Sequence, residues 1–278
     1  MFASLSCTNC VIGMHVLVEK PLAVSVDECR DMISAAEDGG VFLGTAYRLH
    51  TEAGNLHALN LIRDGAIGDP RAFSSLFSFM AAEGNHRLKA SNWGGPLQDI
   101  GIYCLNAARH VFEDEPVSVS AMKNAVDDPR FREVEESFAA TMLFPKGRIA
   151  QFTVSFGASD LDMFRVAGTD GELMVERAYD FQSATTVRLF RDGEVIEHQF
   201  QQTDHFAGQT DYFSECILSG IPPEFDGYEG LADVTTLIAL ERAAETGTVE
   251  LVSLPPRKHH PDATMRRDYP TTTRRLMV

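Results

Sequence analysis

The chain has 278 residues, enough for one or two domains with a sizeable core. Its 24 Lys and Arg stand against 40 Asp and Glu, a formal charge of −16, and 44% hydrophobic with 23% charged residues is the composition of a globular protein. A negative field of this size repels nucleic-acid phosphates, no apolar run has the length of a membrane span and no basic leader precedes an apolar segment, so the expected partners include neither nucleic acid nor membrane.

The five cysteines are odd in number and irregularly spaced, which speaks against a disulfide framework and for a reducing compartment, the cytoplasm. Cys7 and Cys10 form a C-x-x-C without the second pair that a zinc site needs. Residues 15–19 (HVLVE) are an apolar run stopped by Lys20-Pro21, the pattern of a buried parallel strand. Ser25 can cap a helix in which Val26, Cys29, Met32, Ile33 and Ala36 recur at helical spacing until Gly39-Gly40. Residues 41–46 (VFLGTA) read as a second buried strand, so residues 15–46 make one βαβ unit with a parallel sheet.

A helix over 53–63, a strand over 71–80, a glycine-rich loop and a helix over 99–111 follow. Strands are then expected at 117–123, 136–144, 148–155, 164–167, 172–175, 186–191 and 195–200, separated by turn signals such as Pro145-Lys146-Gly147 and Arg191-Asp192-Gly193. These look like an antiparallel sheet. Helices over 206–219 and 230–246 and a short strand over 249–252 close the body. The tail over 255–278 carries Arg257, Lys258, Arg266, Arg267, Arg274 and Arg275 against Asp262 and Asp268, a local charge of +4 that leaves −20 on the rest. With Tyr269 its one aromatic, this tail reads as an arm lying on the acidic body or on a neighbouring subunit rather than as an anion-binding arm. The fold class is α/β plus α+β: a short parallel βα region, then a mainly antiparallel sheet with helices. No G-x-G-x-x-G occurs anywhere, and the βα region is too short for a complete nucleotide-binding domain.

Two groups of residues could carry chemistry. Lys20 follows a parallel strand, whose carboxyl end faces the ligand crevice in open α/β sheets; the ordinary alternative is a surface lysine beside a turn. In Trp93-Gly94-Gly95-Pro96-Leu97-Gln98-Asp99-Ile100-Gly101-Ile102-Tyr103, Asp99 and Tyr103 are four apart and project from one helix face. A carboxylate there can orient a hydroxyl while the phenol passes a proton, if a cation such as Lys20 stands by. The alternative is that Asp99 caps the helix and Tyr103 packs. Tyr47 and Arg48 with His50 follow the second strand, and Arg87 and Trp93 lie in the loop before Asp99; these are the weaker candidates for ligand contacts. His259-His260 has no spaced partners, so no metal site is expected.

The segments HVLVEKPLA, YRLH, GGPLQDIGIYCLNAARHVF, DDPRFREVEE, FAGQTDYFSECILSG and GLADVTTLIALERAAETG together resemble the Gfo/Idh/MocA oxidoreductases, nearest their glucose-fructose oxidoreductase branch, from about residue 13 to 252. The resemblance implies a Rossmann-like parallel sheet followed by a large, mainly antiparallel open sheet with helices. It further implies hydride transfer between NAD or NADP and a sugar or polyol carbon, with Lys20, Asp99 and Tyr103 as catalytic residues. Glu19, Lys20, Pro21 and Arg48 fall on the cofactor side, and Tyr47, Arg87, Trp93 and Asp99 on the substrate side. Tyrosine rather than histidine at position 103 points to a cyclic sugar and to aldose C1. Family members carry the glycine-rich turn on a first half-domain, which is expected to be missing here. Residues 1–46 then read as a remnant of the dinucleotide-binding domain, 47–254 as the substrate-binding and oligomerisation domain, and 255–278 as a basic tail. The expected assembly is a homo-oligomer through the open sheet face. The alternative function is a non-catalytic oligomerisation or sugar-binding module.

Overall fold

The structure, a computed structural model, describes residues 2–124 and 126–271. It starts with a helix the sequence pattern did not suggest, α1 (Phe2–Val11), packed on α2. Strand β1 (Val16–Glu19), helix α2 (Val26–Gly39) and strand β2 (Leu43–Ala46) form the βαβ unit. Helix α2 is set as its ends dictate: the Ser25 hydroxyl accepts the Glu28 N–H, and Gly40 closes it in the left-handed conformation, φ 62°. Its buried face, Cys29, Met32, Ile33 and Ala36, packs with Cys10, Leu22 and Leu43 into one apolar cluster. Strands β1 and β2 pair in parallel with Glu19 beside Ala46, so Lys20 and Tyr47-Arg48 emerge together at one edge.

The rest is built on a nine-stranded sheet. In chain order come α3 (Ala53–Arg63), β3 (Pro70–Met80), α4 (Ile102–Phe112), β4 (Ser118–Lys123), β5 (Ser137–Phe144), β6 (Arg148–Ser155), β7 (Gly157–Gly168), β8 (Glu172–Glu176), β9 (Thr185–Arg191), β10 (Glu194–Phe200), α5 (His205–Ser219), α6 (Gly227–Thr246) and β11 (Glu250–Leu251). The strand order is β10-β9-β8-β7-β3-β6-β5-β4-β11. All pairings are antiparallel except β3 with β6, so the expected antiparallel sheet is mainly that, with one parallel seam at its centre. Alternation along β5 and β6 sends Phe138, Phe144 and Phe152 inward, and these are buried with Phe73 and Phe164 under α3, α4 and α6. The opposite face is open: Met122, Leu143 and Ile149 are exposed on it. Among the described residues no helix is long and apolar enough to cross a membrane.

Two expectations need correction. The strand placed at 164–167 runs over the whole of β7, Gly157–Gly168, because backbone pairing with the long β3 carries polar Asp162 into the ladder despite its poor strand preference. The helix placed at 99–111 starts with a wide π-helical turn, Leu97–Gly101, and becomes α-helical as α4. There the Asp99 carbonyl accepts the Lys20 ammonium at 2.5 Å, a side chain bonding into the helical carbonyl ladder, which is one of the recognised causes of such irregularity.

The described part of the tail lies on the acidic body. Arg257 donates to the Glu224 carbonyl and to Asp226, and Arg267 pairs with Asp211 and Glu215. Arg274 and Arg275 lie outside the described residues.

Candidate active site

A cleft of about 920 Å³ opens where the edge of the small parallel sheet meets the end of the large one. Glu19, Lys20 and Arg48 line it from one side, and Phe77, Asp162 and Tyr179 from the other, with Asp99 and Tyr103 between. Each position has a local cause. Parallel register delivers Lys20 and Arg48, and the π turn followed by α4 delivers Asp99 and Tyr103. The Lys20–Pro21 peptide is cis.

Lys20 is the hub. Besides the Asp99 carbonyl, its ammonium lies 3.3 Å from Asp99 Oδ1 and 4.6 Å from the centroid of the Tyr103 ring. Burial pulls its pKa down, but the attraction of Tyr103 and Asp99 outweighs that and raises it, so Lys20 is a cation throughout the physiological range. Asp99 is therefore no helix cap. Its other oxygen, Oδ2, is 2.8 Å from Arg87 Nε, an ion pair whose N–H is not aligned for a hydrogen bond. The guanidinium carbon of Arg48 lies 4.9 Å from the centroid of the same ring. Two cations thus stand against one tyrosine ring.

Of the residues singled out in the sequence, Glu19, Lys20, Arg48, Arg87, Asp99 and Tyr103 line this cleft, and Pro21, Tyr47 and Trp93 do not. Tyr47 is buried, and its hydroxyl donates to Asp233 Oδ2 at 2.6 Å. Trp93 sits at φ 49°, and its indole N–H turns to Glu241 at 2.9 Å. His50 joins a buried network: Nδ1 is 2.6 Å from Glu224 and Nε2 is 2.8 Å from Asn106. That network centres on Arg109, which bonds Glu115, Glu229 and Asp233 and holds their charges in the core. His50, His110 and Glu229 bring ligand-type atoms within 4.8 Å of one another, but Glu229 already faces the guanidinium groups of Arg109 and Arg257, whose charge opposes a cation. His260, from the His259-His260 pair, stands 3.1 Å from His110.

Sequence reasoning missed the far wall. Asp162 Oδ1 accepts the N–H groups of Tyr179 at 2.8 Å and Asp180 at 3.2 Å, and burial holds its pKa up. Arg177, Tyr179 and Phe181 stand in the loop this carboxylate organises. The one legible signal was the parity of Asp162 with inward-facing Phe164 and Val166, an acid where the pattern calls for an apolar residue. His205, which contacts Arg48, gave no signal at all.

The chain thus has the form of an oxidoreductase in which a parallel βα unit and an open sheet share a cleft. Residues 10–47 match the model of the oxidoreductase family with an NAD-binding Rossmann fold, and residues 56–174 match the Gfo/Idh/MocA C-terminal domain. The D-xylose 1-dehydrogenase [NADP(+)] of Haloarcula marismortui is 31% identical over 252 residues, covering 88% of this chain and 70% of that protein. The 1,5-anhydro-D-fructose reductase of Ensifer adhaerens is 28% identical, covering 84% and 72%. The crystal structure of aldose-aldose oxidoreductase from Caulobacter crescentus complexed with glycerol superposes with a TM-score of 0.85 at 34% identity, covering 90% of this chain and 76% of that one. The chain belongs to the Gfo/Idh/MocA family of oxidoreductases.

The family's cofactor is a nicotinamide dinucleotide, and the residues present fit its nicotinamide end. Glu19, Lys20 and Arg48 stand at the carboxyl edge of the parallel pair and face an open cleft, the place where open α/β sheets bind ligands. No G-x-G-x-x-G turn for the diphosphate occurs in the 278 residues.

Proposed function

We propose that the cleft interconverts a hydroxyl and a carbonyl on a cyclic sugar or polyol, with aldose C1 the favoured carbon and NADP or NAD the cofactor. The carrying observation is the bracketing of Tyr103 by Lys20 and Arg48, at 4.6 and 4.9 Å. Bound nicotinamide supplies a hydride acceptor or donor; the protein's part is proton handling and orientation. In the oxidative direction the Tyr103 phenolate takes the proton of the reacting hydroxyl, and Lys20 and Arg48 stabilise the negative charge before transfer. Asp99, held by Lys20 and Arg87, accepts a hydrogen bond from the same or the adjacent hydroxyl. Lys20, Arg48 and Glu19 form the cofactor side, and Pro21, which does not line the cleft, follows Lys20 in the chain. Arg87 orients the substrate through Asp99, while Tyr47 and Trp93 act from behind the cleft wall.

In this reading residues 1–46 serve the dinucleotide and 47–254 the substrate and subunit contacts. The exposed Met122, Leu143 and Ile149, with Leu143 and Ile149 directly paired across β5 and β6, support a homo-oligomer through the open sheet face. All five cysteines are free, which suits the cytoplasm. The names of the Haloarcula and Caulobacter relatives favour an aldose and NADP.

The second reading is a sugar-binding or oligomerising module without hydride chemistry. Fluorescence titration of NADPH and NADH into the full chain, followed by a screen of aldoses for NADP reduction, separates the two. Saturable binding and turnover on a pentose or hexose support the enzyme. Sugar binding with no nucleotide binding at millimolar concentration supports the module.

A further inference from the structure

The guanidinium of Arg48 is buried, yet among the described residues no carboxylate lies within ion-pair distance of it. Its polar contacts are neutral: NH1 is 3.0 Å from His205 Nδ1, and NH2 donates to the Tyr179 carbonyl. Three rings surround it, Tyr103 at 4.9 Å, Phe181 at 5.2 Å and Phe206 at 5.9 Å. Arginine has donors and no acceptor, so the nitrogen facing NH1 must present a lone pair. His205 is therefore neutral, with its proton on Nε2.

The surroundings enforce that state. His205 is the first residue of α5, whose N-terminus Asp204 caps through the Phe206 and Ala207 N–H groups, and the positive end of a helix disfavours an imidazolium. Burial and the charge of Arg48 act in the same sense, Asp180 acts against them, and the result holds His205 down at about 3. Across the pH range of a cell its lone pair stays available.

We propose that His205 is a positioning residue, whose lone pair anchors Arg48 beside the Tyr103 ring and so fixes the second of the two cations next to the phenol. The inference rests on the reading of Tyr103 as the proton-transfer group. A guanidinium held at both terminal nitrogens cannot swing out to chase an anion in the cleft, so Arg48 acts as a fixed charge. The anchor is pH-invariant where an acidic partner would neutralise the charge it is meant to present.

The test uses the full chain labelled with ¹⁵N in arginine and histidine, the Arg48 signals being assigned by their loss in Arg48→Lys. In the wild type, Arg48 shows separate terminal N–H signals from restricted rotation, and His205 shows the Nε2–H tautomer with no titration between pH 5 and 8. His205→Leu removes the acceptor and averages the Arg48 signals; His205→Asn, whose amide oxygen stands near the place of Nδ1, keeps them apart. In turnover, His205→Leu lowers kcat about tenfold with KM for the sugar within about twofold, and His205→Asn recovers most of it. Unaveraged Arg48 signals in a folded His205→Leu overturn the proposal. If that variant does not fold, the wild-type spectrum decides: an Nδ1–H tautomer, or titration near the usual histidine value, overturns it. The nuclear magnetic resonance readouts need no substrate, so a wild type that neither binds nucleotide nor oxidises sugar refutes the proposed function and leaves the anchor separately tested.

Discussion

Replacing Lys20 by Met removes the ammonium while keeping much of the side chain's bulk, and its effect can be worked from two distances. With the 4.6 Å from the ammonium to the ring centroid taken as the charge separation, and at the effective dielectric of about 20 that suits partly buried pairs, a unit positive charge stabilises a phenolate by at most about 3.6 kcal/mol. Arg48 at 4.9 Å contributes about 3.4 kcal/mol on the same basis and remains in the variant. The Lys20 side chain is only 10% exposed, so solvent screening removes a modest part of its share. The ceiling is a loss of about 400-fold, and about 100-fold in kcat is expected, with the acid limb of the rate profile moved to higher pH. Asp99 keeps Arg87 as a partner, so the fold survives the change. Steady-state kinetics from pH 6 to 10, with circular dichroism as the folding control, make the measurement. A folded Lys20→Met enzyme with kcat within threefold of wild type and an unmoved profile refutes the electrostatic reasoning.

Tyr103→Phe should cost about 10²- to 10⁴-fold in kcat with NADPH affinity unchanged, since only the proton-transfer group is lost; fluorescence titration beside turnover checks both halves. The pH dependence of stability has a worked sign at His205: its folded value of about 3 lies below the ordinary histidine value of 6.5, so the unfolded chain binds a proton the folded one does not, and stability falls as pH drops. From pH 7.5 to 5 that amounts to about 2 kcal/mol, with His110 acting in the same sense and His50, whose pKa is raised by Glu224 against the pull of burial, contributing instead below its folded value. Urea denaturation of wild type and His205→Asn at the two pH values isolates the His205 share, and equal slopes in the two proteins would contradict it. Arg109→Met leaves Glu115, Glu229 and Asp233 without their shared buried counter-charge and should destabilise the fold by about 3–5 kcal/mol; a midpoint within experimental error of wild type would show that the network is self-sufficient.

How much of this was legible in the sequence depends on the range of the physics involved. The βαβ unit and most strands were readable because apolar spacing and turn residues act locally, and α2 carries its own caps. The Lys20, Asp99 and Tyr103 constellation was readable as a hypothesis because two of its members share one helix and the third ends a strand. The roles of neighbours were not. Tyr47 adjoins Arg48 and Trp93 lies between Arg87 and Asp99 in sequence, yet their hydrogen bonds go to Asp233 and Glu241 on α6, about 150 or more residues away along the chain. Asp162 was hidden because a polar run looks like a loop until β3 pairs with it. The Arg109 network is equally invisible, since Arg109 lies on α4, Glu229 and Asp233 on α6 and Glu115 after α4, and nothing local in the sequence brings them together. The parallel seam between β3 and β6 follows from strand order, which local patterns do not encode.

The most direct test of the account is whether this cleft moves hydride from a sugar carbon. The chain is incubated with NADP and an aldose carrying deuterium at C1, and the product nucleotide is analysed by mass spectrometry and proton resonance at nicotinamide C4. Deuterium at C4 in the wild type, and its loss in Tyr103→Phe, is the result predicted. A wild-type chain that binds NADP and the aldose, yet never transfers the label, would contradict it.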